Sequence, residues 1–313
     1  MRNAFADEIT RLGAQDSRIV LLSGDIGNRL FDGFKEQNNV RFLNCGVAEA
    51  NMMGMAAGMA MCGLKPVVYT IAPFTTTRCF EQIRVDVCYH EVPVTIVGTG
   101  AGLSYAGLGP THHSVEDIAI LRTLPGMTIL CPCDTFELRA ALRAAMQHDG
   151  PVYLRIGKKN EPDVYDEVPA FTIGKSICVR EGNDICLVST GNMMPTVIDA
   201  AEQLARDGID ARVESFHTVK PLDENSLRRL FDSYQLVAVI EEHSIIGGLG
   251  GSVAEWTVRE GLGEQRLLCF GTADEFMHEV GSQKYARERF GLTPTNIADT
   301  VSCRLRSRNR ISA

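Results

Sequence analysis

The chain has 313 residues and a mass of 34.3 kDa, more than one ordinary small domain needs and suited to two of about 150 residues each. Hydrophobic residues at 45% and charged ones at 22% lie near globular averages and argue against a disordered or fibrous class. A net charge of -8 and a pI near 5.4 argue against a globally cationic binder of nucleic acid or membrane surfaces.

In chain order, Met1 to Glu8 turns acidic at once and shows no leader pattern. Arg18 to Ser23 predicts a strand that ends in the turn Gly24-Asp25-Ile26-Gly27-Asn28, where Asp25 and Asn28 have an ordinary capping use. A helical stretch follows around 46–62. The weakly charged run from Gly46 to Leu64 carries Glu49 and four glycines, which suits a buried helix better than a membrane span. Strands at Pro66–Thr70, Pro93–Val97, Met127–Leu130 and Pro151–Ile156 alternate with helices around 77–90, 114–123 and 134–148. Short strands without polar alternation, separated by helices, predict a mostly parallel α/β sheet covered on both faces.

An irregular stretch starts at Gly157, and the expected organisation is a first domain over 1–160, a linker over 161–177 and a second domain over 178–313. The second unit repeats the α/β pattern: strands Asp184–Ser189, Ala211–Ser215, Leu236–Glu241 and Arg266–Phe270, with helices Pro195–Asp207, Asp223–Phe231 and Gly251–Glu260 between them. The basic tail Arg304 to Arg310 is expected to fray. Ten cysteines are scattered, several inside apolar runs where a thiol acts as a small hydrophobe. Cys131-Pro132-Cys133 lacks a second pair at zinc spacing, so the expectation is a reduced, cytoplasmic chain without a structural metal.

Three segments could carry chemistry. In Asn44 to Gly58, Glu49 is the one acid in a long apolar neighbourhood; it either complements a helix dipole or is buried and able to hold a proton near neutral pH. In Ala72 to Arg84, a strand breaks at Pro73 and Phe74 lies in the turn, as a core aromatic or against a ligand. The glycine-rich loop from Gly98 to Asp117 follows a strand, and its His112 and His113 could supply a proton donor and a hydrogen-bonding partner. Its glycines form neither a Walker nor a dinucleotide fingerprint. Gly247 to Ser252, after Glu241-Glu242-His243, looks like an anion nest.

Taken together, four signatures in order make the chain resemble the C-terminal half of thiamine-diphosphate-dependent transketolases: Gly46-Val47-Ala48-Glu49, Arg78 to Ile83, Gly109-Pro110-Thr111-His112, and Gly150 to Arg155. The likeness is to split enzymes whose pyrimidine-binding and C-terminal domains form a separate subunit, and it spans nearly the whole chain. It implies that Glu49 bonds N1′ of the cofactor's aminopyrimidine and that Phe74 stacks on that ring, with Arg78 and Asp25 also on the cofactor side. It implies His112 near the reactive carbon and Arg155 on a substrate phosphate. Arg29 is a replacement anion ligand beside the first turn. Two positions depart from the family: Leu108 stands where an acid usually contacts a substrate hydroxyl, and Gly100 where a histidine helps bind phosphate.

The metal-binding Gly-Asp-Gly…Asn pattern of these enzymes is absent from the sequence. The resemblance therefore implies thiamine diphosphate shared with an N-terminal diphosphate-binding partner subunit, which holds Mg2+ or Ca2+, in an α2β2 assembly. The implied reaction moves a two-carbon ketol unit between a ketose and an aldose, phosphorylated or otherwise anionic, with no nucleic-acid or membrane partner. Competing readings are the β subunit of a 2-oxo acid dehydrogenase, a deoxyxylulose-phosphate-synthase-like enzyme, or a non-catalytic scaffold for an active relative.

Overall fold

A computed structural model describes residues 1–27, 29–262 and 266–311, the side chains of 308–311 excepted, so Asn28 of the first turn lies outside the described residues. The first half builds β1 (Ile19–Ser23), β2 (Phe42–Asn44), β3 (Lys65–Ile71), β4 (Thr95–Thr99), β5 (Thr128–Leu130) and β6 (Val152–Ile156). The second half builds β7 (Ile177–Arg180), β8 (Ile185–Ser189), β9 (Ala211–Ser215), β10 (Thr218–Lys220), β11 (Val237–Ser244) and β12 (Leu267–Thr272). Two sheets result, in the orders β10-β5-β6-β4-β3-β1-β2 and β12-β11-β8-β9-β7. All pairings are parallel except the edge pairs β10 with β5 and β7 with β9.

Parallel strands buried on both faces need helices to cover them. These are α1 (Arg2–Gln15), α2 (Asp32–Asn38), α3 (Glu49–Met61), α4 (Ala72–Thr75), α5 (Phe80–Gln82), α6 (Asp117–Arg122) and α7 (Thr135–Gln147) in the first half. The second half adds α8 (Met194–Arg206), α9 (Glu224–Ser233), α10 (Leu249–Arg259), α11 (Gln283–Arg289) and α12 (Pro294–Ile311). One core packs α1 and α7 on the first sheet, a second packs α8 and α12 on the second, and the largest runs through both halves from Met52 to Trp256.

Several elements differ from the sequence reading. The segment expected as one helix over 77–90 is a 3-10 turn (Thr77–Cys79), α5, and a π-helix (Ile83–Tyr89). The basic tail, expected to fray, continues α12 as far as Ile311, and Ile297, Val301 and Leu305, four residues apart, seat that helix on the second core. Residues 157–176 carry no strand or helix, yet Asp134 pins the stretch by accepting from the amides of Val164 (2.8 Å) and Tyr165 (2.9 Å). The two halves also interlock. β10 leaves the second half to add an antiparallel edge to the first sheet, with Thr218 opposite Leu130. No helix among the described residues is long and apolar enough to cross a membrane.

Candidate active site

The carboxyl ends of β4, β3, β1 and β2 are neighbours in the first sheet, and four segments leave from them side by side. Ligands on open α/β sheets bind at that edge. From β2 the chain turns through Gly46, whose φ of +67° only glycine adopts without strain, and starts α3 at Glu49. Glu49 is 5% exposed, and its neighbours Met52, Met53 and Ala56 bury the inner face of the helix. From β3 the short α4 places Phe74, half-buried, one turn before Arg78.

Arg78 joins the two. Its Nη1 donates to Glu49 Oε1 at 3.1 Å, and its guanidinium carbon lies 3.7 Å above the Phe74 ring centre. Phe74 in turn meets the edge of His112, 5.2 Å between ring centres, and His112 meets Tyr105 at 6.1 Å. Lys158 Nζ closes the row 4.5 Å from the Tyr105 ring centre. Glu49, Phe74, Arg78 and His112 thus form one connected group. Partial burial, then the charges of Arg78 and His113, push the His112 pKa below its ordinary value. Its Nδ1 pairs with Thr111 Oγ1 at 2.9 Å.

Tyr105 and Lys158 carry no motif and were invisible in the sequence, but Gly100 signalled one of them. Its φ is +80°, and a Cβ there would lie 1.9 Å from Tyr105 Cε2, so the tyrosine ring fills the space a side chain at 100 would need. Leu108, the other departure, is 56% exposed on the same loop.

Three expected ligands lie outside this connected group. Arg155 is 2% exposed: Nε donates to Asp117 Oδ2 (2.8 Å), and Nη2 donates to the carbonyls of Ser114 (2.8 Å) and Glu242 (3.0 Å). A guanidinium so engaged bolts the halves together and makes none of the contacts that join Glu49, Phe74, Arg78 and His112. Burial opposes ionisation of Asp117, but the charges of Arg155 and His243 and the hydrogen bonds from Arg155 and Tyr153 together outweigh it and hold that carboxyl below its ordinary value. Arg29 lines a shallow groove between α1 and α2 with Asn3, Asp7 and Thr10, apart from the connected group. Asp25 is exposed at φ +57° in the turn after β1, where Oδ1 accepts from Asn44 Nδ2 at 3.0 Å. The anion nest is filled from within: Glu241 accepts from the amides of Leu249 (2.7 Å) and Gly250 (2.8 Å). Among the described residues, no cluster of three or more His, Cys, Asp or Glu side chains could hold a metal ion.

Residues 1–163 match the family described as transketolase, pyrimidine binding domain, and residues 174–297 match transketolase, C-terminal domain. The chain is 38% identical to a 6-deoxy-6-sulfo-D-fructose transketolase subunit of Clostridium sp. (strain MSTE9), over 95% of this chain and 92% of that protein. It is 34% identical to an apulose-4-phosphate transketolase subunit of Phocaeicola vulgatus, over 96% of each. A 1-deoxy-D-xylulose-5-phosphate synthase of Desulforudis audaxviator is 33% identical over 98% of this chain and 48% of that protein. Among solved structures, one described as a split gene transketolase, inactive beta4 tetramer, superimposes with a TM-score of 0.88 at 33% identity, over 97% of each chain.

Proposed function

This chain belongs to the transketolase family, as the portion bearing its pyrimidine-binding and C-terminal domains, and on that premise we propose that it is the Glu49-bearing subunit of a split, thiamine-diphosphate-dependent transketolase. The observation that carries the reading is the buried carboxylate facing a guanidinium that sits over the Phe74 ring. Arg78 is the one donor that reaches Glu49 among the described residues, and its side chain is 46% exposed, free to swing aside. A flat, nitrogen-bearing ring fits the same acid and the same aromatic face, so the residues present suit an aminopyrimidine.

In that arrangement Glu49 holds the hydrogen of a ring nitrogen in a site screened from water, where a carboxyl is an effective proton partner. Phe74 supports the ring by its face. His112, with its pKa lowered, presents a neutral imidazole able to donate or accept at a substrate oxygen. When bound, thiamine diphosphate supplies the electron sink for a two-carbon fragment. Lys158 and Arg78 put cationic charge at the mouth, which suits a phosphorylated or otherwise anionic sugar. The relatives named for sulfofructose and for apulose 4-phosphate fit that class. The diphosphate and its Mg2+ or Ca2+ belong to a partner subunit in an α2β2 complex, a reading supported by the relative described as an inactive tetramer of β chains alone.

The test is Glu49→Gln in a complex reconstituted with a diphosphate-binding partner subunit. Ketol transfer is expected to fall by about 10²- to 10⁴-fold while the complex still assembles, and the isolated chain with cofactor and magnesium should be inactive. Near-normal turnover of the variant would show a scaffold instead. Decarboxylation of a 2-oxo acid without ketose cleavage would move the assignment to the synthase or dehydrogenase branch, which the deoxyxylulose-phosphate synthase likeness keeps as the second reading.

A further inference from the structure

The loop that carries His112 is tied at its neck. Gly102 and Ser114 exchange both backbone hydrogen bonds, at 3.1 and 2.9 Å, and so close residues 103–113 into a compact excursion between β4 and α6. Outside that neck the loop is held by the second half of the chain, chiefly by Glu242 on β11. Glu242 is 1% exposed. Its Oε1 accepts from the Leu103 amide at 2.7 Å, from Gln283 Nε2 at 2.9 Å and from Asn192 Nδ2 at 3.3 Å; its Oε2 accepts from Arg287 Nε. The fit at the neck is tight, because a Cβ on Gly102 would lie 2.5 Å from Glu242 Oε1.

The residues beside Glu242 grip the other end. Its carbonyl shares Arg155 with the carbonyl of Ser114, and the Ser244 amide donates to the Val115 carbonyl at 2.7 Å. Met277 and Ala286 pack beneath Leu103 and Ala106. Every partner of the Glu242 carboxylate is an N–H donor, so an amide in its place would turn a donor toward a donor. We propose that Glu242 is a positioning residue for the transfer reaction: from the second half of the chain it fixes the entry of the 103–113 loop and thereby the place of His112 at the cofactor edge. This rests on the reading of His112 as a substrate-facing group given above.

Glu242 is not needed to keep the halves together, since β10 on β5 and Arg122 on Glu255 join them independently. The test is a cycle of Glu242→Gln, His112→Ala and the double variant in the reconstituted complex. Misplacing a reacting group by about an ångström costs up to about 10²-fold. Glu242→Gln should therefore lower kcat by about 10- to 100-fold, leave the apparent affinity for thiamine diphosphate and partner unchanged, and raise amide exchange in 103–113. In the His112→Ala background it should cost nothing further. Full turnover of Glu242→Gln, or losses that multiply in the double variant, would overturn the proposal. Should Glu242→Gln fail to fold, Gln283→Ala removes a donor from both oxygens and faces the same two criteria. If Glu49→Gln keeps activity, the functional reading fails; if Glu49→Gln is dead while Glu242→Gln is normal, only the positioning role fails.

Discussion

A histidine part-buried beside a guanidinium gives up its proton more readily than one in water, and His112 has both pressures on it. Its neutral form therefore persists to a lower pH than an ordinary imidazole. If that form does the work, kcat/KM falls as pH drops through the lowered pKa. Arg78→Ala removes one of the causes, so the acid limb should move to higher pH. His112→Asn should abolish that limb and lower kcat/KM by about 10²-fold. A pH profile of each reconstituted complex checks this; an acid limb that stays put in Arg78→Ala would show that the charge does not reach the ring. At this scale the sequence was legible where chemistry is local. Glu49 stood out as a lone acid in an apolar run, and Phe74 as a ring in a turn. The setting of Arg155 was not legible, because nothing in a sequence tells a buried, hydrogen-bonded guanidinium from one that faces a ligand. The exposed place of Arg29 between α1 and α2 follows from packing that no local pattern encodes.

Elements were legible where the hydrophobic pattern is local, and hidden where partners are distant. The central parallel strands read as apolar runs because both their faces are covered. β10 has three residues and exists because Thr218 and Lys220 find Ile129 and Leu130, nearly ninety positions away, which no local pattern encodes. The π-helix Ile83–Tyr89 shares its apolar spacing with an ordinary helix. α12 was masked by its own charge: basic residues crowd its last turns, while the apolar positions that dock it lie four apart at Ile297, Val301 and Leu305. That element gives a direct test. Ile297 is fully buried against the second core, so Ile297→Ala should destabilise by about 2–5 kcal/mol in denaturant unfolding. A change within about 0.5 kcal/mol, ordinary for a surface position, would mean that the helix does not dock.

At the scale of the whole molecule, one carboxyl ties α7, the connecting stretch and the second sheet together. Glu137 is fully buried; it accepts from the Cys133 amide (2.6 Å), from Ser215 Oγ on β9 (2.9 Å) and from the Tyr165 hydroxyl (3.3 Å). Burial, reinforced by the charge of Asp134, pushes its pKa from the ordinary 4.5 up to about 7. Between those values the folded chain holds a proton that the unfolded chain has released, so this group makes stability fall as pH rises, and the whole penalty is present above about 7. The shift corresponds to roughly 3 kcal/mol. His217, stacked on Phe171 and pushed down to about 3 by burial, acts in the opposite sense: there the unfolded chain takes up the proton first, and stability rises between about 3 and 6.5. The two together place the stability maximum on the acid side of neutrality. Glu137→Gln keeps the shape and removes the titration, so comparing it with the parent chain cancels every other group. From pH 5 to pH 8 the stability difference between the two should move by roughly 2.5 kcal/mol in favour of the glutamine, since part of the penalty is already present at pH 5. A difference that stays constant across that range in denaturant unfolding would mean that Glu137 is already ionised in the folded junction.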